Sequence, residues 1–149
     1  MIDKLNILFA SQTGTAEELA YEIHNKCSSM GIKSNLSELD DISINDLKKI
    51  NKLMIVTSTT GDGEMPDNGK IFWEQLSKEV KLNLSSLNYG VLALGDSSHY
   101  DFCNAGKIID IKLKDLGANR IIERLECDFD TDGSENWYLN FFKIINKIN

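Results

Sequence analysis

Residues 5–16 read Leu5-Asn6-Ile7-Leu8-Phe9-Ala10-Ser11-Gln12-Thr13-Gly14-Thr15-Ala16. Leu5–Ala10 is a short apolar run, the pattern of a parallel strand buried on both faces. Ser11–Thr15 is small, rich in hydroxyls and bent at Gly14, and a helical pattern begins just beyond it. A strand, a tight loop and a helix start in that order make an anion site. The first backbone N–H groups of a helix lack partners, and the macrodipole favours negative charge in front of them. Ser11, Thr13 and Thr15 add hydroxyl donors, and the loop holds no Lys or Arg, so a phosphate here would rest on neutral donors. The G-x-x-x-x-G-K-[ST] pattern of nucleoside-triphosphate loops is missing, as is the G-x-G-x-x-G of dinucleotide sites. The competing reading is an ordinary helix start capped by Thr13 or Thr15.

Outward from this stretch, strand and helix patterns alternate. The apolar spacing of Ala16, Leu19, Ala20, Ile23 and Cys27 predicts a helix over 15–30, closed by Gly31. Residues 32–38 read as a weakly alternating strand near an edge, and 44–49 as a short helical return. Leu53-Met54-Ile55-Val56 is a central strand, followed by a long loop with the only proline, Pro66. Helical spacing resumes over 68–79 through Phe72, Leu76 and, just beyond, Val80. Gly90-Val91-Leu92-Ala93-Leu94 is the fourth strand, 105–116 a helix and 120–127 the last strand. The last helix, over 135–148, is expected to bury Trp137, Phe141, Ile144 and Ile148. This order implies an α/β fold with a parallel sheet of about five strands and helices on both faces. Ligands in such sheets bind beyond the carboxyl ends of the strands. The loops after strands one, three and four lie there, and they are the richest in Gly, Ser, Thr and Asp.

The 149 residues are expected to form one domain over 1–149, with 42% hydrophobic and 26% charged residues as in an ordinary soluble globule. No run spans a bilayer and no secretory leader is visible, so a cytoplasmic protein is expected. The net charge of −7 argues against nucleic acid or an anionic membrane surface and favours a partner with a basic face. Cys27, Cys103 and Cys127 are odd in number and far apart, and only His24 and His99 complete the set of soft ligands, so neither disulfides nor a metal site is expected.

With the three loops identified, the chain resembles a short-chain flavodoxin, which binds FMN. The resemblance rests on the Ser11-to-Ala16 loop, on Ser58-Thr59-Thr60-Gly61-Asp62-Gly63, and on Leu94-Gly95-Asp96-Ser97-Ser98 followed by Phe102-Cys103. Thr60-Gly61-Asp62-Gly63-Glu64-Met65-Pro66-Asp67-Asn68 and 102–107 look most similar to FMN domains of sulfite-reductase and P450-reductase type and to MioC-like proteins. It implies a doubly wound five-stranded sheet in the order 2-1-3-4-5; that order, with a ligand at its switch point, is a known property of the fold rather than a reading of these residues. It also implies a cofactor-binding set: Ser11, Gln12, Thr13, Gly14, Thr15 and Ala16 for the phosphate, and Ser58, Thr59, Thr60, Gly61, Asp62 and Gly63 on one face of the flavin ring. Leu94, Gly95, Asp96, His99, Tyr100, Phe102 and Cys103 fall on the other face.

In the flavin site that the resemblance implies, Gly61 would permit its preceding peptide to turn, so that the Thr60 carbonyl could accept from flavin N5–H after one-electron reduction. Asp96 would accept from the ring N3–H side or anchor its loop. The family usually has Tyr where this chain has His99, and often an aromatic at Thr60; either His99 or Tyr100 then stacks on the ring. An imidazole there would make the potential depend on pH.

Acidic residues crowd the same loops: Asp62, Glu64, Asp67, Asp96, Asp101, Asp128, Asp130 and Asp132. Beyond solvating the surface, this charge lowers the second reduction potential and steers docking onto a basic partner. The resemblance implies a low-potential one-electron carrier, monomeric, passing electrons from an NAD(P)H-dependent flavodoxin reductase to an acceptor enzyme. The 149 residues hold no nicotinamide or FAD domain, nucleophile or dyad. A phosphorylatable receiver domain would need acids at the ends of strands one and three and a Lys after strand five. Those places hold Ala10-Ser11, Thr57-Ser58 and Cys127-Asp128. An FMN-dependent quinone reductase is the remaining alternative, marked by rapid NAD(P)H oxidation.

Overall fold

The computed structural model describes residues 4–61, 63–96, 101–128 and 131–148. Strands β1 (Leu5–Ala10), β2 (Ser34–Glu38), β3 (Lys52–Ser58) and β4 (Asn88–Gly95) are parallel neighbours in the order β2-β1-β3-β4. The continuous apolar runs supply β1, β3 and β4, which are buried along most of their length, whereas β2 is a partly exposed edge. Beyond β4 the fifth position holds two short strands, β5 (Asn119–Arg120) and β6 (Leu125–Asp128), both parallel to β4. This completes the expected 2-1-3-4-5 order.

The last strand is not continuous over 120–127 as the sequence pattern suggests. On β4, Asn88 and Leu92 stand four residues apart, but their partners Asn119 and Leu125 stand six apart, so two extra residues bulge from the edge. Ile122 from this bulge packs over Gly90, where an added Cβ would lie 2.8 Å from Ile122 Cγ2. Arg120 and Arg124, flanking the bulge, both turn to Asp110 of helix α3 (Asn104–Asp115). Asp110 is 1% exposed and also accepts from the Tyr89 hydroxyl at 2.7 Å. A buried carboxylate holds its charge only when partnered in this way.

Helices α1 (Thr15–Ser29) and α4 (Ser134–Ile145) cover one face of the sheet, with Ala16, Leu19, Ile23 and Cys27 of α1 buried as expected. Helices α2 (Lys70–Ser77) and α3 cover the other, together with short 3-10 turns at Leu39–Asp41 and Ile44–Lys49. Two apolar positions differ from the pattern. Val80 is exposed because α2 ends at Ser77, and Ile144 lies at the margin because α4 buries Trp137, Tyr138, Phe141, Phe142 and Ile145. Among the described residues no helix is long and apolar enough to cross a membrane.

Candidate functional site

The register Ala10↔Thr57, Ser58↔Leu94 and Gly95↔Asp128 brings the ends of β1, β3, β4 and β6 to one edge. The loops that leave them face each other. At the first, Gly14 takes φ +100° and heads α1 without a side-chain cap. An L-residue adopts that angle only under strain, which is the reason for a glycine here. The first helical bond runs from Glu18 N–H to the Gly14 carbonyl at 2.9 Å, so the N–H groups of Thr15, Ala16 and Glu17 stand ahead of the ladder. Neither Thr13 nor Thr15 caps the helix; both line the cleft instead. Two other N–H groups of this loop are already committed: Gly14 donates to Ser11 Oγ and Ser11 to Asn68 Oδ1, each at 2.9 Å.

The second loop leaves β3 at Ser58. The Ser58 hydroxyl is buried, lines the cleft and has no hydrogen-bond partner among the described residues. Thr59 Oγ1 accepts from Ala105 N–H at 3.0 Å and so holds the start of α3. Thr60 and Glu64 close a tight turn: Thr60 N–H donates to the Glu64 carbonyl at 2.9 Å, and Glu64 N–H donates back at 2.8 Å. The Thr60 carbonyl also accepts from Gly63 N–H at 3.1 Å. Turning that carbonyl toward a ligand therefore breaks two backbone hydrogen bonds, which restrains the freedom that Gly61 offers.

The third loop follows Gly95. An added Cβ on Gly95 would sit 2.8 Å from Cys103 N and 3.2 Å from Phe102 Cδ1, so the glycine lets 102–103 fold back over the strand end. Cys103, at φ 55°, is the one described non-glycine residue in the left-handed region. Its thiol points at the Ala93 and Cys127 carbonyls, at 3.5 and 3.7 Å. Burial, aided by the charge of Glu126, pushes that thiol up to about 12. It therefore stays protonated and acts as a packing group rather than a nucleophile.

Together the loops enclose a cleft of about 340 Å³ lined by Thr13, Thr15, Ser58, Thr59, Gly61, Leu94, Gly95, Asp96, Asp101, Phe102 and Cys103. Hydroxyls, backbone and two carboxylates line it, and no Lys or Arg does among the described residues. Ser11, Gly14, Ala16, Thr60 and Gly63 shape the loops without lining the cleft. The Gln12 side chain is turned away: its Nε2 donates to Asp67 Oδ2 at 3.2 Å and its Oε1 accepts from Asp67 N–H at 3.1 Å. Asp67 in turn pairs with Lys70 at 2.9 Å, and the two partners hold its carboxyl below the usual range. Asp62, His99 and Tyr100 lie outside the described residues. Asp101, read in sequence only as part of an acidic rim, is a wall residue. An added Cβ on Gly63 would meet its Cβ at 2.5 Å, and that close approach is not written in either residue alone.

The model of the Flavodoxin family matches residues 7–140. The chain is 43% identical over 138 residues to the sulfite reductase [NADPH] flavoprotein alpha-component of Vibrio parahaemolyticus, covering 92% of this chain and 22% of that protein. The corresponding protein of Bacillus subtilis is 39% identical over 145 residues, 97% of this chain and 24% of the relative. The chain thus spans about a quarter or less of the curated relatives it matches. Among solved structures, a flavodoxin of Streptococcus pneumoniae TIGR4 superimposes with a TM-score of 0.80 at 29% identity, over 97% of this chain and 99% of that one.

Proposed function

The chain belongs to the flavodoxin family, and on that premise we propose that it carries single electrons on one non-covalently bound FMN held in the three-loop cleft. The observation that carries the assignment to this cleft is the Ser58 hydroxyl, buried and unpartnered among the described residues where the second loop leaves β3. A buried hydroxyl without a partner costs about 1–3 kcal/mol, and a ligand acceptor there removes the cost. The donor set also fits the group: orphan N–H groups at the start of α1 and the Thr13 and Thr15 hydroxyls suit a phosphate. Leu94, Gly95 and Phe102 offer apolar surface to a flat ring, and Gly61 lines the same cleft.

FMN, when bound, supplies the reversible uptake and release of electrons one at a time. The protein's own residues do the rest. The first loop binds and orients the phosphate end. The turn closed by Thr60 and Glu64, with Gly95, Phe102 and Cys103, holds the ring and limits water. Asp96 and Asp101 set a negative field at the wall, which disfavours added negative charge on the ring. The acidic rim, with Asp67, Asp128 and Asp132, steers a basic partner surface to the cleft. We read the partners as an NAD(P)H-dependent reductase on the donor side and a redox enzyme on the acceptor side. The names of the Vibrio and Bacillus relatives, NADPH-linked sulfite reductase flavoprotein components, support that pairing. The cofactor-free chain titrated with FMN should quench flavin fluorescence to a one-to-one end point. Unquenched fluorescence at saturating concentrations would overturn the assignment.

A further inference from the structure

The first loop is held by a segment that does not line the cleft. Residues Asp67–Gly69 form a single 3-10 turn just before α2. Gly69 lets this turn press against the end of β1, since an added Cβ would lie 2.9 Å from Ala10 Cβ. That approach delivers the Asn68 carboxamide to Ser11, whose N–H donates to Asn68 Oδ1 at 2.9 Å across 57 residues of chain. One residue on, Gln12 and Asp67 exchange two hydrogen bonds, side chain to side chain and backbone to side chain. Three hydrogen bonds therefore fix Ser11 and Gln12 from outside, and the Ser11 hydroxyl then fixes Gly14 from inside.

We infer that Asn68, backed by the Gln12–Asp67 pair, is a positioning residue that presets the first loop for the phosphate and so sets the preference for FMN over riboflavin. The inference rests on the FMN reading above. Its physical basis is the cost of ordering. N–H groups bind an anion well only where they already converge, and a loop that must be ordered on binding loses that part of the affinity. Asn68 does not line the cleft, so it acts through Ser11 and the loop rather than by contact. Its turn also continues from the second loop through Pro66, so one stretch of chain reaches both ends of the ligand site.

The test is the ratio of FMN to riboflavin affinity, measured by fluorescence quenching of the cofactor-free full chain and of Asn68→Ala. Riboflavin shares the ring and lacks the phosphate, so general loosening of the fold weakens both ligands together. Loss of the Asn68 bond should weaken FMN about fivefold to tenfold, the value of one hydrogen bond, and change riboflavin by less than about twofold. Gln12→Ala, at an exposed position, removes both bonds to Asp67 and should move the ratio in the same direction. It decides the matter should Asn68→Ala fail to melt cooperatively. An unchanged ratio in a folded variant overturns the inference. A parent chain that binds neither flavin would instead count against the functional reading itself.

Discussion

The Asn104 side-chain amide donates to the Gly63 carbonyl at 2.8 Å, joining the second loop to the start of α3. Beside it, Ala105 N–H donates to Thr59 Oγ1 at 3.0 Å, so two adjacent α3 residues grip the two ends of one five-residue loop. Gly63 is required at its position by φ +92° and by the closeness of Asp101. Asn104→Ala should free the Gly63 carbonyl, raise amide hydrogen exchange across 60–64, and weaken FMN binding about threefold to tenfold. Exchange rates equal to those of the parent chain would show that the Asn104 bond does not hold the loop.

Asp110 anchors the edge of the sheet. It is almost completely buried and receives bonds from Tyr89, Arg120 and Arg124. Asp110→Ala leaves two guanidinium groups facing a vacated site and should cost about 3–5 kcal/mol in chemical denaturation. Tyr89→Phe removes one hydroxyl bond and should cost about 1 kcal/mol. Equal, small effects from both would mean that water substitutes for the carboxylate.

Alkali should unfold the protein through its buried thiols. Burial pushes the Cys27 thiol from its ordinary 9.0 to about 11, against a smaller opposing hydrogen bond from Ser34. The unfolded chain therefore releases this proton first. Stability from the group is complete below pH 9.0 and is lost as pH rises toward 11, at about 1.4 kcal/mol per pH unit inside that window. Cys27→Ala should lower stability at neutral pH yet flatten the alkaline limb of the stability curve. An unaltered limb would assign the alkaline transition to other groups.

Asp101 contributes a negative charge to the wall and pairs with no described cation. Asp101→Asn should raise the second one-electron potential of the flavin by about 20–60 mV, a shift of roughly 0.5–1.4 kcal/mol. Spectroelectrochemistry reads this directly. A shift confined to the first potential would contradict an electrostatic role for the carboxylate.

Much of this architecture is legible in the residues. The runs at 5–10, 53–56 and 90–94 are apolar without interruption because their strands are covered on both faces, and Gly14 and Gly95 mark turns that other residues would strain or block. What sequence reading missed depends on contacts between distant residues. The break in the last strand is flanked by Arg120 and Arg124, which share Asp110, a partner on a preceding helix. Gln12 looks like a ligand by position, but its amide is used by Asp67, 55 residues away. Asn68 reads as the end of a family-like stretch and the start of a helical pattern, and nothing local says that its amide meets Ser11. The Cys103 backbone angle likewise follows from the fold over Gly95 and not from cysteine's own preference.

The most direct test of one-electron carriage is an anaerobic equilibrium reductive titration of the FMN-loaded protein. Two separate one-electron steps are expected, the second at the lower potential because the cleft wall is negative. A single two-electron step, accompanied by rapid oxidation of NAD(P)H by the protein alone, would contradict it.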